Sequence, residues 1–324
     1  MEFSADFFLL LYHKLVWPLF RLIGFISLGL LFANFIESLN WTSKIAAVAR
    51  PLIRMSHLSQ TAGASFSMAM FSGVSANTML SEAHDQGRIS KKELILANLF
   101  NSLPTYFLHL PTVFFITAPL IKGAAFIYVG ITLGAALLRT TSIIFFSRIF
   151  LDRPDTDRES ALPEQEEKKI DWQATWNKTW KRFKKRIRKI IRYTIPIYLL
   201  IFLMNRSGLF DSLESTMADA LGFLPWLSPQ SMGIITLHIA AEFTAGLAAA
   251  GALLQEGTMG YREIILALIV GNVLSSPLRA IRHQFPYYAG IFKPKLATEL
   301  IIYNQLFRIV SLILVSLVYF MATL

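Results

Sequence analysis

Between Ser228 and Pro286 the chain reads SPQSMGIITLHIAAEFTAGLAAAGALLQEG and then TMGYREIILALIVGNVLSSPLRAIRHQFP. The first part is too rich in Gly and Ala for a lipid-facing span, and the second is an apolar helix pattern interrupted by Asn272, Ser275, Ser276 and Pro277. Inside a bilayer, a backbone interruption carrying hydroxyls and an amide must be covered by protein or line a wet cavity. This stretch therefore predicts a polar site at mid-bilayer depth in a helical membrane protein.

The rest of the chain agrees with that setting. Of its 324 residues 54% are hydrophobic and 16% charged, which suits a polytopic membrane protein better than a large soluble core. The net charge of +10 does not point to nucleic acid, because the basic residues gather in one linker and in the loops where membrane topology requires them. The chain has no cysteine, so disulfides, thiolate metal sites and cysteine nucleophiles are excluded. It has no Walker loop, Rossmann fingerprint, H-E-x-x-H or G-x-S-x-G motif, and the expectation is a protein that is not an enzyme and holds no metal.

In chain order, residues 3–16 form an aromatic, amphipathic leader, and Trp17 to Leu39 is the first span. WTSKIAAVARPLIRM reads as a surface helix. Residues 57–86, polar throughout, suit a re-entrant hairpin, and Lys92 to Ile121 reads as a helix broken by Asn101, Ser102, Pro104 and Pro111. Gly123 to Phe150 is a further span carrying Arg139. Residues 152–189 form a basic cytoplasmic linker, with Trp172, Trp176 and Trp180 at four-residue spacing on an interfacial helix. A span from Arg192 to Met204, an acidic surface segment, the 228–286 stretch and a final span with Arg308 complete the chain.

That order repeats. A shift of 170 residues places Gln60 on Gln230, Gly87 on Gly257, and Glu93, Ile95, Leu96 and Ala97 on Glu263, Ile265, Leu266 and Ala267. With one residue of slippage, Arg139 falls on Arg308. The predicted fold is thus all-α, with two repeats at 1–151 and 190–324 joined by the 152–189 linker. Each repeat holds a span, an interfacial helix, a re-entrant hairpin, a broken helix and a span. Three full crossings per repeat invert the second. With the linker inside, Lys44, Arg50, Arg54, Arg88, Lys91, Lys92, Lys293 and Lys295 fall inside, and Asp211, Glu214, Asp219 and Glu256 outside. Lys122, Arg206 and Arg262 are exceptions to that pattern. The expectation is an integral protein of a bacterial or archaeal cell membrane with its C-terminus external.

This architecture resembles the transport core of the concentrative nucleoside transporters and, more broadly, the nucleoside-recognition or Gate-domain membrane proteins. Ser59, Gln60, Thr61 and Ala62 resemble the tip of that family's first hairpin, and Ala241, Glu242 and Phe243 that of its second. Asn272, Ser275 and Ser276 resemble its second broken helix, with Asn101 and Ser102 at the matching break of the first half. The resemblance implies a secondary transporter of a small polar solute, nucleoside-like or anionic, working by alternating access. Gln60, Thr61, Glu242, Asn272, Ser275 and Ser276 would face the solute, while Asn101 and Ser102 would lie near a coupling Na+ or H+. It also implies a homo-oligomer. The competing expectation is a non-transporting membrane assembly protein of the sporulation type, with the three tryptophans as its docking point.

Other residues carry two readings each. Glu242, in apolar surroundings, is a solute or proton site or half of an ion pair with Arg139 or Arg308. Arg139 and Arg308 are a structural pair or the contacts of an anionic solute. His238 reads as a hydrogen-bonded histidine, Arg279, Arg282 and His283 as a positive-inside anchor or a cationic vestibule, and the SANT run at 75–78 as a weak carboxylate-transporter likeness.

Overall fold

The computed structural model describes residues 12–17, 19–20, 23–24, 27–28, 31, 35, 51–152, 172–207, 227–241 and 243–324. The expected first span, the interfacial leader, most of the first surface helix, the acidic half of the linker, the second surface segment and Glu242 lie wholly or mostly outside these residues. Among the described residues every regular element is helical. They are α1 Gln60–Ala69, α2 Gly73–Asp85, α3 Lys91–Phe100, α4 Ser102–Ile121, α5 Ala124–Phe150, α6 Trp172–Arg206, α7 Pro229–Ala241, α8 Phe243–Glu256, α9 Tyr261–Arg279, α10 Phe285–Ile291 and α11 Pro294–Ala322. π-turns occupy Tyr12–Val16 and Ala280–Gln284.

Four stretches among the described residues are long and apolar enough to cross a membrane: Lys91–Ile121, Ala124–Phe150, Tyr261–Arg279 and Pro294–Ala322. The outer faces of α5 and α11 support this, since Phe126, Phe145, Ile302, Leu306, Leu317 and Val318 are all exposed. Apolar surface on that scale is unfavourable in water and suited to lipid.

Local chemistry explains the helix ends. Ser59, Ser72 and Ser90 cap α1, α2 and α3, each side chain accepting a backbone N–H three residues on, from Ala62, Ser75 and Glu93. Gly87 and Gly257 follow α2 and α8 with φ of 70° and 74°. Each closes its helix the same way: Gly87 N donates to His84 O and Arg88 N to Ala83 O, while Gly257 N donates to Leu254 O and Thr258 N to Leu253 O. This is the left-handed glycine cap. Glu93 Oε1 then accepts from Ser59 N at 2.9 Å, tying the start of α1 to α3. Its counterpart Glu263 instead accepts from its own cap residue, Gly260 N, at 2.8 Å.

The break in the first half falls at Asn101, between α3 and α4, as expected. Its cause is Pro104, which has no N–H for the carbonyl of Phe100 and whose ring crowds that carbonyl, so α3 stops there. Pro111 does not break α4, contrary to expectation, and neither does Pro119; the helix runs through both. Thr117 Oγ1 donates back to Val113 O at 2.6 Å within the helix.

The second break is also not where the sequence pattern puts it. α9 is continuous through Asn272, Ser275, Ser276 and Pro277 to Arg279, and the irregularity comes at the π-turn Ala280–Gln284. The position matching Pro104 is Leu274, which can donate its N–H, so nothing stops the helix there. Pro286 at the start of α10 withholds the donor that the carbonyl of Arg282 would otherwise take, and the backbone widens just before it. The linker boundary at residue 189 is likewise not a structural break, because α6 is one helix across it.

Two apolar clusters form the core. One joins Leu120, Ala124, Ala125 and Tyr128 to α8 and α9, and the other joins α1, α2 and α3 to Ile143, Tyr288, Phe292 and Leu300. In both, residues from before and after the linker interleave. Glycine permits the closest approaches in the first: a Cβ on Gly251 would meet Leu120 O at 3.0 Å, and one on Gly246 would meet Ile234 O at 3.0 Å.

Candidate functional site

A cavity of about 420 Å³ opens where α3, α4 and α5 face α9, α10 and α11. Its charged lining comes from Arg139 on α5, Arg279 on α9 and Arg308 on α11. No Asp or Glu lines it among the described residues.

Asn272 organises one wall. Its Nδ2 donates to Tyr128 OH at 3.0 Å, and its Oδ1 accepts from Arg279 Nη2 at 2.8 Å and Arg308 Nη2 at 3.2 Å. Two guanidiniums therefore converge on one neutral oxygen. The third, Arg139, donates from Nε to Ser102 Oγ at 2.9 Å. Arg139 and Arg308 thus do matching work: each leaves a long span and reaches a polar residue on the preceding membrane helix.

Another part of the lining is uncharged. Asn98 Nδ2 donates to Asn77 Oδ1 at 2.8 Å and to Tyr288 OH at 3.3 Å, while Asn98 Oδ1 accepts from Asn304 Nδ2 at 2.6 Å. A buried amide with its donors and acceptor engaged is rigid, because each rotation would leave a polar atom unpaired. Asn101 Nδ2 donates to Ser65 Oγ at 2.6 Å, but its buried Oδ1 has no partner among the described residues.

The sequence-predicted residues divide on this geometry. Asn101, Ser102, Arg139, Asn272 and Arg308 line the cavity. Gln60 and Thr61, at the start of α1, do not, and Gln60 is exposed. Ser275 and Ser276 are buried but turned into the helix packing: Ser276 Oγ donates to Gln305 Oε1 at 2.6 Å, and Ser275 Oγ reaches back to Asn272 O at 3.5 Å. Glu242 lies outside the described residues. His238 is fully buried and neither ring nitrogen has a hydrogen-bond partner among the described residues, which corrects the expectation of a hydrogen-bonded histidine. It is held instead by packing, since a Cβ at Gly271 would sit 2.7 Å from its Nδ1.

Sequence reasoning missed Asn98, Asn304, Tyr128 and Tyr288. The signal for Asn77 was present in the SANT run, whose asparagine is the member that reaches the cavity.

No family model matches the chain, and no solved structure does. It is similar to three uncharacterized proteins of Methanocaldococcus jannaschii. One is 28% identical over 282 residues, covering 84% of this chain and 83% of the relative. A second is 25% identical over 293 residues, covering 90% and 91%, and a third is 23% identical over 272 residues, covering 82% and 86%. The likeness thus extends over most of each chain and carries no assigned activity with it.

Proposed function

We propose that the chain is a secondary transporter that binds a small polar solute in this cavity and exposes it to alternate sides of the membrane. The observation that carries the reading is the position of the cavity, at the seam between two sets of matching helices. Helices α2, α3, α4 and α5 begin at 73, 91, 102 and 124, while α8, α9 and α11 begin at 243, 261 and 294, and α4 and α10 end at 121 and 291. The starts at 73, 91 and 124 and the end at 121 therefore recur at the 170-residue shift, while the start at 102 has no counterpart in the continuous α9. Packing recurs too: α4 meets α8 as α2 meets α10, and α5 meets α9 as α3 meets α11, with α5 against α11 at the centre. Such a pseudo-twofold arrangement offers two equivalent packings of the same parts, which is the basis of alternating access.

Helix length supports the inverted form of the repeat. Helices α1, α2, α7 and α8 have 10, 13, 13 and 14 residues. At 1.5 Å per residue each reaches roughly 15–21 Å, short of a hydrocarbon core of about 30 Å. They serve as re-entrant hairpins, and each repeat keeps three crossings. That topology puts the basic linker inside the cell and the C-terminus outside, and it keeps the resemblance to the Gate-domain proteins as the family reading. A coupling Na+ at Ser102 would share its hydroxyl with the Arg139 guanidinium and be repelled by its charge, which leaves H+ as the coupling ion of this proposal.

The test is uptake into liposomes containing the purified protein, screened with labelled nucleosides, nucleobases, carboxylates and phosphate esters. Saturable uptake of one class, reduced at least about tenfold by Asn272→Ala, is expected. Absence of saturable uptake in every class would sink the transport reading.

A further inference from the structure

The chemistry of the cavity says which solute it is built for. Arg139 and Arg308 are placed in spans of 27 and 29 residues, where a guanidinium is costly unless its charge is met. Their hydrogen-bond acceptors among the described residues, Ser102 Oγ and Asn272 Oδ1, supply dipoles and no negative charge. Each guanidinium carries five N–H donors in a planar fork, so one bond to a neutral oxygen leaves most of that capacity to be met from the cavity it lines. Arg279 adds a third guanidinium close to Arg308, as their shared acceptor requires.

The forks of Arg139 and Arg308 approach from two different helices, α5 and α11. A carboxylate offers two coplanar oxygens that match one fork, whereas a phosphate monoester offers three terminal oxygens in a tetrahedron and carries two charges near neutral pH. The same cavity is also lined by the amide and phenol cluster of Asn77, Asn98, Asn304 and Tyr288, suited to an uncharged hydroxyl-bearing or cyclic body. The volume of about 420 Å³ is that of a small-molecule site.

We infer that the solute is a small phosphate monoester, its phosphate held between Arg139 and Arg308 and its uncharged body against the Asn98 wall. The inference rests on reading the cavity as a solute site, and it sets a doubly charged head group in place of a neutral nucleoside.

A charge series at pH 7.5 tests it on the full chain in lipid nanodiscs. Phenyl phosphate, its monoanionic methyl diester, benzoate, succinate and uridine are compared by calorimetry and by thermal shift. Phenyl phosphate should bind at least about tenfold more tightly than the diester and than benzoate, and Arg139→Gln and Arg308→Gln should each remove most of that preference, with Arg308→Lys retaining part of it. If a glutamine variant does not fold, the wild-type series still decides. Tighter binding of succinate, benzoate or uridine, equal binding of monoester and diester, or no binding of phenyl phosphate overturns the inference. Liposome uptake separates the two readings: phenyl phosphate that binds but is never carried leaves this site standing and removes transport, while carried uridine with no phosphate binding does the reverse.

Discussion

Asn272 holds more of the site than any other side chain, since its amide is the shared acceptor of Arg279 and Arg308 and the donor to Tyr128. Asn272→Ala leaves two guanidinium bonds and one phenol without their partner and is expected to cost about 1–3 kcal/mol, read as a lower Tm in detergent. Gly271, one residue earlier, has a different task. A methyl there would lie 2.7 Å from His238 Nδ1 and 2.9 Å from its Cβ, so Gly271→Ala should cost about 1–3 kcal/mol through overpacking. Gly130 on α5 has nothing within 4 Å of its would-be Cβ, and Gly130→Ala should be neutral or stabilising by up to about 1 kcal/mol. If the two alanine variants melt together, the tight seat of His238 is wrong. At this scale the arginines were legible in the sequence, because a lone cation inside a long apolar run stands out against its neighbours. Asn98, Asn304 and Tyr288 were not, because amides and phenols are ordinary on helices. Their meeting depends on contacts across 190 and 206 residues of chain.

Among the elements, the paired glycine caps give the most direct test of the repeat. Gly87 and Gly257 have nearly the same φ and close the same pair of backbone hydrogen bonds. Gly87→Ala and Gly257→Ala each force an L-residue into the left-handed region and should each cost about 1–2 kcal/mol. Chemical denaturation of the two single variants should give matched losses; a loss at one site only would mean that the caps are not equivalent. The broken helices teach the opposite lesson. Both halves carry Asn, Ser and Pro near the same register, which makes them look alike in sequence, yet only the first half has a proline four residues after a helix end, at Pro104. That difference of a few positions decides whether the break falls at Asn101 or is delayed to Ala280–Gln284. Residue content was visible in the sequence, but the register of each proline against its carbonyl partner decided the backbone.

At the scale of the whole molecule, the relative direction of the two sets of helices is read by sidedness labelling. The chain contains no cysteine, so single cysteines report cleanly on sidedness. Arg88→Cys and Thr258→Cys sit in the matching turns after α2 and α8, and an inverted repeat puts them on opposite sides of the membrane. A membrane-impermeant maleimide applied to intact cells should label Thr258→Cys and spare Arg88→Cys; labelling of both or neither from outside rules the inversion out. The sequence by itself determined that the chain is helical and membrane-embedded and that cations sit within two spans. Each of these depends on local composition and spacing, which survive without coordinates. Tertiary structure alone decided which polar residues meet. Gln60 and Thr61, singled out by resemblance to a hairpin tip, stand off the cavity, and Ser275 and Ser276 spend their hydroxyls on helix packing. Asn272, Arg139, Arg308 and the Asn98 network share one space because α3, α5, α9 and α11 pack together, and side-chain direction on a packed helix is set by its neighbours rather than by its own sequence.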